Sequence, residues 1–314
     1  MSLSDTRWRG VYVIVTTPFD DDLNLDLDGL RSVVRFNLNC GVHGLVAPAN
    51  ASEVAYLSDE ERKQVVQTIT DEAGDRVPVI AGVSSSCAKL AVAHARVAEG
   101  AGADGILAMP PTFQRATQPE IVDYFHQIAA ATRLPIMLQN YAGAGGTSLS
   151  PAAILSLVEA IPQIEYVKEE TPFSNTYISE ILALAGDRIK GVMGGIAGIN
   201  LFEEHARGAC GTMPACESPD IHVALWAALE RQDAEAARGI FEALLPLLSF
   251  EAQYGIATYK SVLARRGVIA ASGFRQTGAQ PLDAVASARL DTILNRLAPL
   301  MHKDYRPVRE AALT

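Results

Sequence analysis

The stretch Val77-Pro-Val-Ile-Ala-Gly82, then Cys87-Ala-Lys-Leu-Ala-Val-Ala-His-Ala-Arg-Val-Ala-Glu-Gly-Ala101, then Gly105-Ile-Leu-Ala-Met109 decides the fold. Its outer pieces are short apolar runs, and the piece between them is rich in Ala, Leu and Val and long enough for a helix. A strand, a helix and a second strand in that order imply parallel pairing through a right-handed crossover. The unit recurs along the chain. Strand-like runs read at residues 11–16, 43–47, 77–82, 105–109, 135–139, 164–168, 189–193 and 211–213, with helical patterns such as 58–73, 87–101 and 118–131 between them. In the pattern at 58–73, Ser58 stands as N-cap before Glu60, Glu61, Arg62 and Lys63, and Val65, Val66 and Ile69 recur at helical spacing. Eight such alternations over roughly residues 11–230 favour a closed barrel over an open sheet. Further helical segments at 233–248, 252–265 and 282–297 follow without a Pro/Gly/Ser-rich linker. The expected architecture is α/β: a (β/α)8 TIM barrel over residues 1–230, with a C-terminal three-helix extension at 231–314 packed on it as a subdomain.

Composition agrees with a packed domain: of 314 residues, 49% are hydrophobic and 20% charged. A net charge of −10 argues against general nucleic-acid binding, which needs clustered Lys and Arg. Cys40, Cys87, Cys210 and Cys216 form no CxxC pair and have no His at zinc spacing, so they read as buried free thiols in a reducing compartment. The first ten residues carry Asp5, Arg7 and Arg9 and no apolar core of a secretory signal. No apolar run reaches the length of a membrane span. The expectation is a cytoplasmic protein that engages neither nucleic acid nor membrane.

Two motifs are set aside. Residues 100–105 spell GxGxxG, but they close a helix and open a strand, the reverse of the dinucleotide fingerprint. Asp20, Asp22 and Asn24 imitate a calcium loop, but Leu25 stands where the glycine is required and Arg31 where the terminal Glu is required. A turn with Asp26 or Asp28 capping the first helix is the better reading. The six histidines form no metal-binding pair. Neither a metal nor an organic cofactor is expected.

Lys168 stands apart from the other lysines, Lys63, Lys89, Lys190, Lys260 and Lys303, which sit in charged or amphipathic surroundings and read as solvated. It ends the apolar strand Ile164-Glu-Tyr-Val-Lys168 and precedes Glu169-Glu170-Thr171-Pro172. Barrel active sites lie at the C-terminal ends of the strands, and a lysine in a partly desolvated mouth favours the neutral amine that attacks carbonyls. Physics alone leaves two readings open: a nucleophile, or a structural partner of Glu169 or Glu170.

Across nearly the whole chain the sequence resembles the N-acetylneuraminate lyase and dihydrodipicolinate synthase family of class I aldolases. The resemblance is carried by Thr16-Thr17-Pro18-Phe19, Ser52-Glu53, Leu57-Ser58-Asp59-Glu60-Glu61-Arg62, Gly102-Ala-Asp-Gly105, Met109-Pro110-Pro111, Pro135-Ile-Met-Leu-Gln139-Asn140, Tyr166-Val-Lys168, Gly194-Gly195 and the helix near 255–267. It implies Lys168 as the Schiff-base residue, a small 2-keto acid as substrate, and a homo-oligomer, dimer or tetramer. It also implies a carboxylate cradle of backbone amides around Asn50 and Ala51, next to Ser52; such amides at a strand-to-helix turn are preorganised anion donors.

Departures from the synthases narrow the reading. Ala49-Asn50-Ala51-Ser52-Glu53 replaces their Gly-Thr-Thr-Gly-Glu, Gln139 replaces a tyrosine, Thr112 replaces the tyrosine of a neighbouring subunit, and their second-substrate arginine falls at about Ala144. Without that relay and clamp, lysine-biosynthetic synthase activity is not expected. The pattern instead resembles the branch that dehydrates 2-keto-3-deoxy sugar acids such as 2-keto-3-deoxyarabonate. There, loss of a C3 proton and of the C4 hydroxyl would follow imine formation on Lys168. Glu170, Tyr141, a held water or the substrate's own groups are the candidate acid and base, Gln139 stands in the relay position, and Thr171 is a candidate for substrate hydroxyls. Gly194 and Gly195 are expected to let the backbone approach the substrate. Aldol cleavage by the same imine, and a keto-acid-binding barrel without chemistry, are the alternatives.

Overall fold

The computed structural model describes residues 8–112, 115–143 and 146–306. Strands β1 (Gly10–Ile14), β2 (Gly44–Ala47), β3 (Val79–Gly82), β4 (Gly105–Ala108), β5 (Ile136–Tyr141), β6 (Ile164–Glu170), β7 (Gly191–Gly194) and β8 (Gly211–Thr212) alternate with helices. They pair in parallel in sequence order, and β8 returns to β1 through Gly10↔Gly211 and Val11↔Thr212, closing the barrel. The fold is a TIM barrel, as the repeated strand–helix pattern implies.

The helices are α1 (Leu27–Asn39), α2 (Asp59–Ala73), α3 (Ala88–Gly100), α4 (Gln118–Ala129), α5 (Pro151–Ala160), α6 (Ser174–Ala185), α7 (Leu201–Ala206) and α8 (Pro219–Glu230). Three more follow: α9 (Ala234–Tyr254), α10 (Ile256–Arg265) and α11 (Ala284–Leu297). The caps explain the starts. Ser58 forms a capping box with Glu61, and Asp26 accepts from the Gly29 N–H at 2.8 Å. Asp20 accepts from the Asp22 and Asn24 N–H groups, the expected turn rather than an ion loop. Helix α9 runs past the expected end at 248 and stops only at Gly255, whose φ of +49° a side chain rarely adopts.

Side-chain alternation along the strands sorts the barrel into an inside and an outside. Tyr12, Ile80, Leu107, Met137, Tyr166 and Met193 fill the interior. Trp8 closes the lower end, stacked on Tyr166 with ring centroids 4.5 Å apart. Val167, Leu138 and Val192 face the helices instead. The C-terminal helices bury Leu244, Leu247, Leu290 and Leu294 in a core of their own that includes Ile221 from α8. Cys40, Cys210 and Cys216 are buried free thiols, but Cys87 is exposed. It precedes α3 in extended backbone at the helix start, a position open to solvent, so the expectation of four buried thiols fails there. No helix among the described residues is long and apolar enough to cross a membrane.

Candidate active site

Strands β5 and β6 are longer than their apolar runs. The pairing continues through polar residues, with Gln139 beside Lys168, Asn140 beside Glu169 and Tyr141 beside Glu170. Alternation then decides which of these enter the barrel. Lys168 and Glu170 follow Tyr166 on the inner face, and Gln139 follows Met137.

Lys168 is 3% exposed, and its Nζ lies 2.9 Å from Glu170 Oε2. The same oxygen accepts from Gln139 Nε2 at 2.6 Å, and Glu170 Oε1 accepts from the Ile196 N–H at 3.0 Å. Three donors therefore surround one carboxylate beside the amine. Glu169 turns outward and is bound by Asn140 Nδ2 at 2.7 Å and the Thr171 N–H at 2.8 Å. Of the two acids after the lysine, only Glu170 reaches it.

Above Lys168 is a cavity of about 310 Å³ whose wall includes Asn50, Ala51, Tyr141, Glu170, Tyr259 and Gln276. Asn50 and Ala51 lie in a short 3₁₀ turn after β2, closed by the Ser52 N–H to Ala49 O bond at 2.9 Å. Among the described residues neither the Asn50 nor the Ala51 N–H has a hydrogen-bond partner in the protein. Burial pushes the Tyr141 phenol up, with Glu170 adding to it. Burial likewise raises Tyr259 well above the ordinary phenol value, so both hydroxyls keep their protons and act as donors. Among the described residues no group of three His, Cys, Asp or Glu side chains is placed to hold a metal.

Several expected site residues lie off the cavity. Ser52 is fully buried, its Oγ accepting from the Ala49 N–H at 3.1 Å and donating to Val15 O at 2.5 Å, so it shapes the turn. Thr171 is buried, accepts from the Phe173 N–H at 3.3 Å, and is not among the described residues that line the cavity. Gly194 and Gly195 make room for carboxylates of this chain: a Cβ on the first would collide with Glu204, and on the second with Glu170. Neither glycine is among the described residues that line the cavity. Thr112 lies after β4, its N–H bonded to Ser85 O at 3.2 Å. Ala144 lies outside the described residues.

Three features were not legible in the sequence. Tyr259 reaches the cavity from α10 and Gln276 from the segment between α10 and α11, and nothing in their local pattern marks them. Lys260, read as solvated, is fully buried and stands 2.6 Å from Glu53 Oε1. Its surroundings, Ile256, Ala257, Val262 and Leu263, are the buried residues of α10, and the partner that makes its burial tolerable comes from the loop after β2.

With that geometry in place, the relatives are informative. The model of the dihydrodipicolinate synthetase family matches residues 7–296. The L-2-keto-3-deoxyarabonate dehydratase of Azospirillum brasilense is 35% identical over 307 residues, 96% of this chain and 98% of that protein. The 4-hydroxy-tetrahydrodipicolinate synthase of Pseudomonas aeruginosa is 32% identical over 239 residues, 76% of this chain and 81% of that one. Among solved structures, the dihydrodipicolinate synthase of Rhodopseudomonas palustris superposes with a TM-score of 0.86 at 26% identity, covering 95% of this chain and 99% of that one. A prophage protein of E. coli from the same family, solved with pyruvate, gives 0.86 at 26% identity over 93% and 99%. By its sequence over almost its full length and by its barrel, the chain belongs to the dihydrodipicolinate synthetase family and is a lyase.

Proposed function

We propose that the chain dehydrates a 2-keto-3-deoxy sugar acid through an imine on Lys168. The carrying observation is the pairing of a buried lysine with Glu170 at 2.9 Å on the cavity floor, where Gln139 replaces the synthases' tyrosine. Lys168 passes a proton to Glu170, its neutral amine adds to the C2 ketone, and the hydroxyl so formed leaves as water with that proton, giving a protonated imine that draws electrons from C3. Glu170 takes the C3 proton, and the electron pair of that bond forms the enamine. Its return expels the C4 hydroxyl, which leaves as water with the proton that Glu170 took from C3, so the carboxylate is regenerated. Hydrolysis of the imine frees Lys168. The Tyr141 and Tyr259 hydroxyls, which keep their protons, are the wall's hydrogen-bond donors for the departing oxygen. The uncommitted Asn50 and Ala51 amides suit the substrate carboxylate.

The substrate class draws support from the Azospirillum relative, a dehydratase by name that matches almost end to end. The test is a panel of 2-keto-3-deoxy acids followed by mass spectrometry. Loss of one water supports the reading, whereas free pyruvate indicates aldol cleavage and replaces it. Borohydride with pyruvate is expected to modify the peptide containing Lys168 and nothing in Lys168→Ala. A folded wild type that neither traps pyruvate nor turns over any acid would be a binding protein.

A further inference from the structure

The cavity is completed by a segment far from any strand. Gln276, between α10 and α11, stands in the same wall as Asn50 and Ala51, and a buried clasp holds it there. Glu53 Oε2 accepts from the Arg275 N–H at 2.6 Å and from the Gln276 N–H at 2.7 Å. Its other oxygen lies 2.6 Å from Lys260 Nζ, with both side chains at 0% exposure. Lys260 also donates to Gly273 O at 2.7 Å and sits 4.0 Å above the Phe19 ring. The Arg275 guanidinium stands 4.2 Å from that ring and forks onto Glu61 at 2.7 and 2.9 Å. Glu53 directly follows the Asn50–Ser52 turn and has φ +56°, a left-handed conformation that non-glycine residues seldom adopt. One side chain thus ties Gln276 to the turn that presents the free Asn50 and Ala51 amides.

A clasp that served stability alone would explain Glu53, Lys260 and Arg275. It does not explain a primary amide in the cavity wall that has no side-chain hydrogen bond among the described residues. Nor does it explain a buried countercharge beside a proposed carboxylate site. Among the described residues Lys168 is the sole cation in the cavity wall, so a bound carboxylate depends on neutral dipoles, and an unneutralised Glu53 would repel it. We propose that Gln276 is the third donor of the carboxylate site, beside the Asn50 and Ala51 amides. Glu53 is its positioning residue, and Lys260 cancels the charge that Glu53 brings. The inference rests on the imine reading and extends it to a residue of the C-terminal helical part.

The experiment compares borohydride trapping of pyruvate with trapping of hydroxyacetone, which has the same ketone but no carboxylate. Gln276→Ala is expected to lower the preference for pyruvate, read from half-saturating concentrations, about tenfold or more, the worth of a hydrogen bond to a charged group. Gln276→Glu is expected to lower it further. Lys260→Met is expected to lower it too, and Glu53→Gln combined with Lys260→Met to restore part of the loss; a purely structural clasp would move both ketones together. An unchanged preference in both Gln276 variants overturns the assignment, and those variants decide even if Lys260→Met fails to fold. A wild type that traps neither ketone refutes the imine reading, and this inference with it.

Discussion

Glu204, on α7, is fully buried behind the cavity floor. Its Oε1 takes a hydrogen bond from Ser174 Oγ at 3.2 Å, and its Oε2 has no hydrogen-bond partner among the described residues. Burial pushes this carboxyl from 4.5 up to about 8; Ser174 opposes the rise, and Glu170 and Glu169 add to it. Between those pH values the folded protein keeps a proton that the unfolded chain has released, so stability falls as pH rises. The contribution is fully present below pH 4.5 and lost above about 8, and such a displacement amounts to roughly 5 kcal/mol at most. Glu204→Gln substitutes a neutral amide of the same shape. The variant should match wild type to within about 1 kcal/mol near pH 5 and exceed it by several kcal/mol near pH 8.5. Urea midpoints measured on both proteins across that range give the difference directly, and every other titrating group cancels in it. Two parallel curves, separated by a constant gap, would show that Glu204 ionises at its ordinary value and that the burial argument is wrong.

Glu170→Gln keeps the shape beside Lys168 but removes the proposed base. Sugar-acid turnover should drop about 10²- to 10⁴-fold while pyruvate trapping persists, and undiminished turnover would assign the base elsewhere. For the Glu53–Lys260 pair, Lys260→Met alone should destabilise by about 3–5 kcal/mol, and the double variant with Glu53→Gln should recover most of that in denaturant melts; simple additivity would contradict a coupled buried pair.

The barrel was legible because each strand up to β8 is a short apolar run between helix-forming stretches. The polar ends of β5 and β6 were not, since Asn140 and Glu169 look like loop residues until their cross-strand partners are known. Lys168 stood out as a charge ending an apolar strand, and the two-residue period then separates Glu170 from Glu169. Ser52 and Thr171 bond backbone groups that the sequence does not reveal, since a hydroxyl near a reactive residue has as many backbone groups to bond as ligands. Tyr259, Gln276 and Lys260 were invisible for a different reason. Each takes its meaning from a contact with the β2, β5 or β6 loops, and pattern along the chain carries no record of such contacts.

The Glu53 clasp joins positions 222 and 223 residues apart. A ribosome making this chain therefore emits the turn at 50–52 and the lysine at 168 long before it emits the segment that completes their wall. Closing so long a loop is entropically late work, and domains generally form from the N-terminal side as they emerge. The barrel strands have their neighbours before Gln276 exists, so on the proposed role of Gln276 the carboxylate site is completed only after the whole barrel has been made. Until then, on that reading, a nascent chain would hold a keto acid by the two turn amides alone.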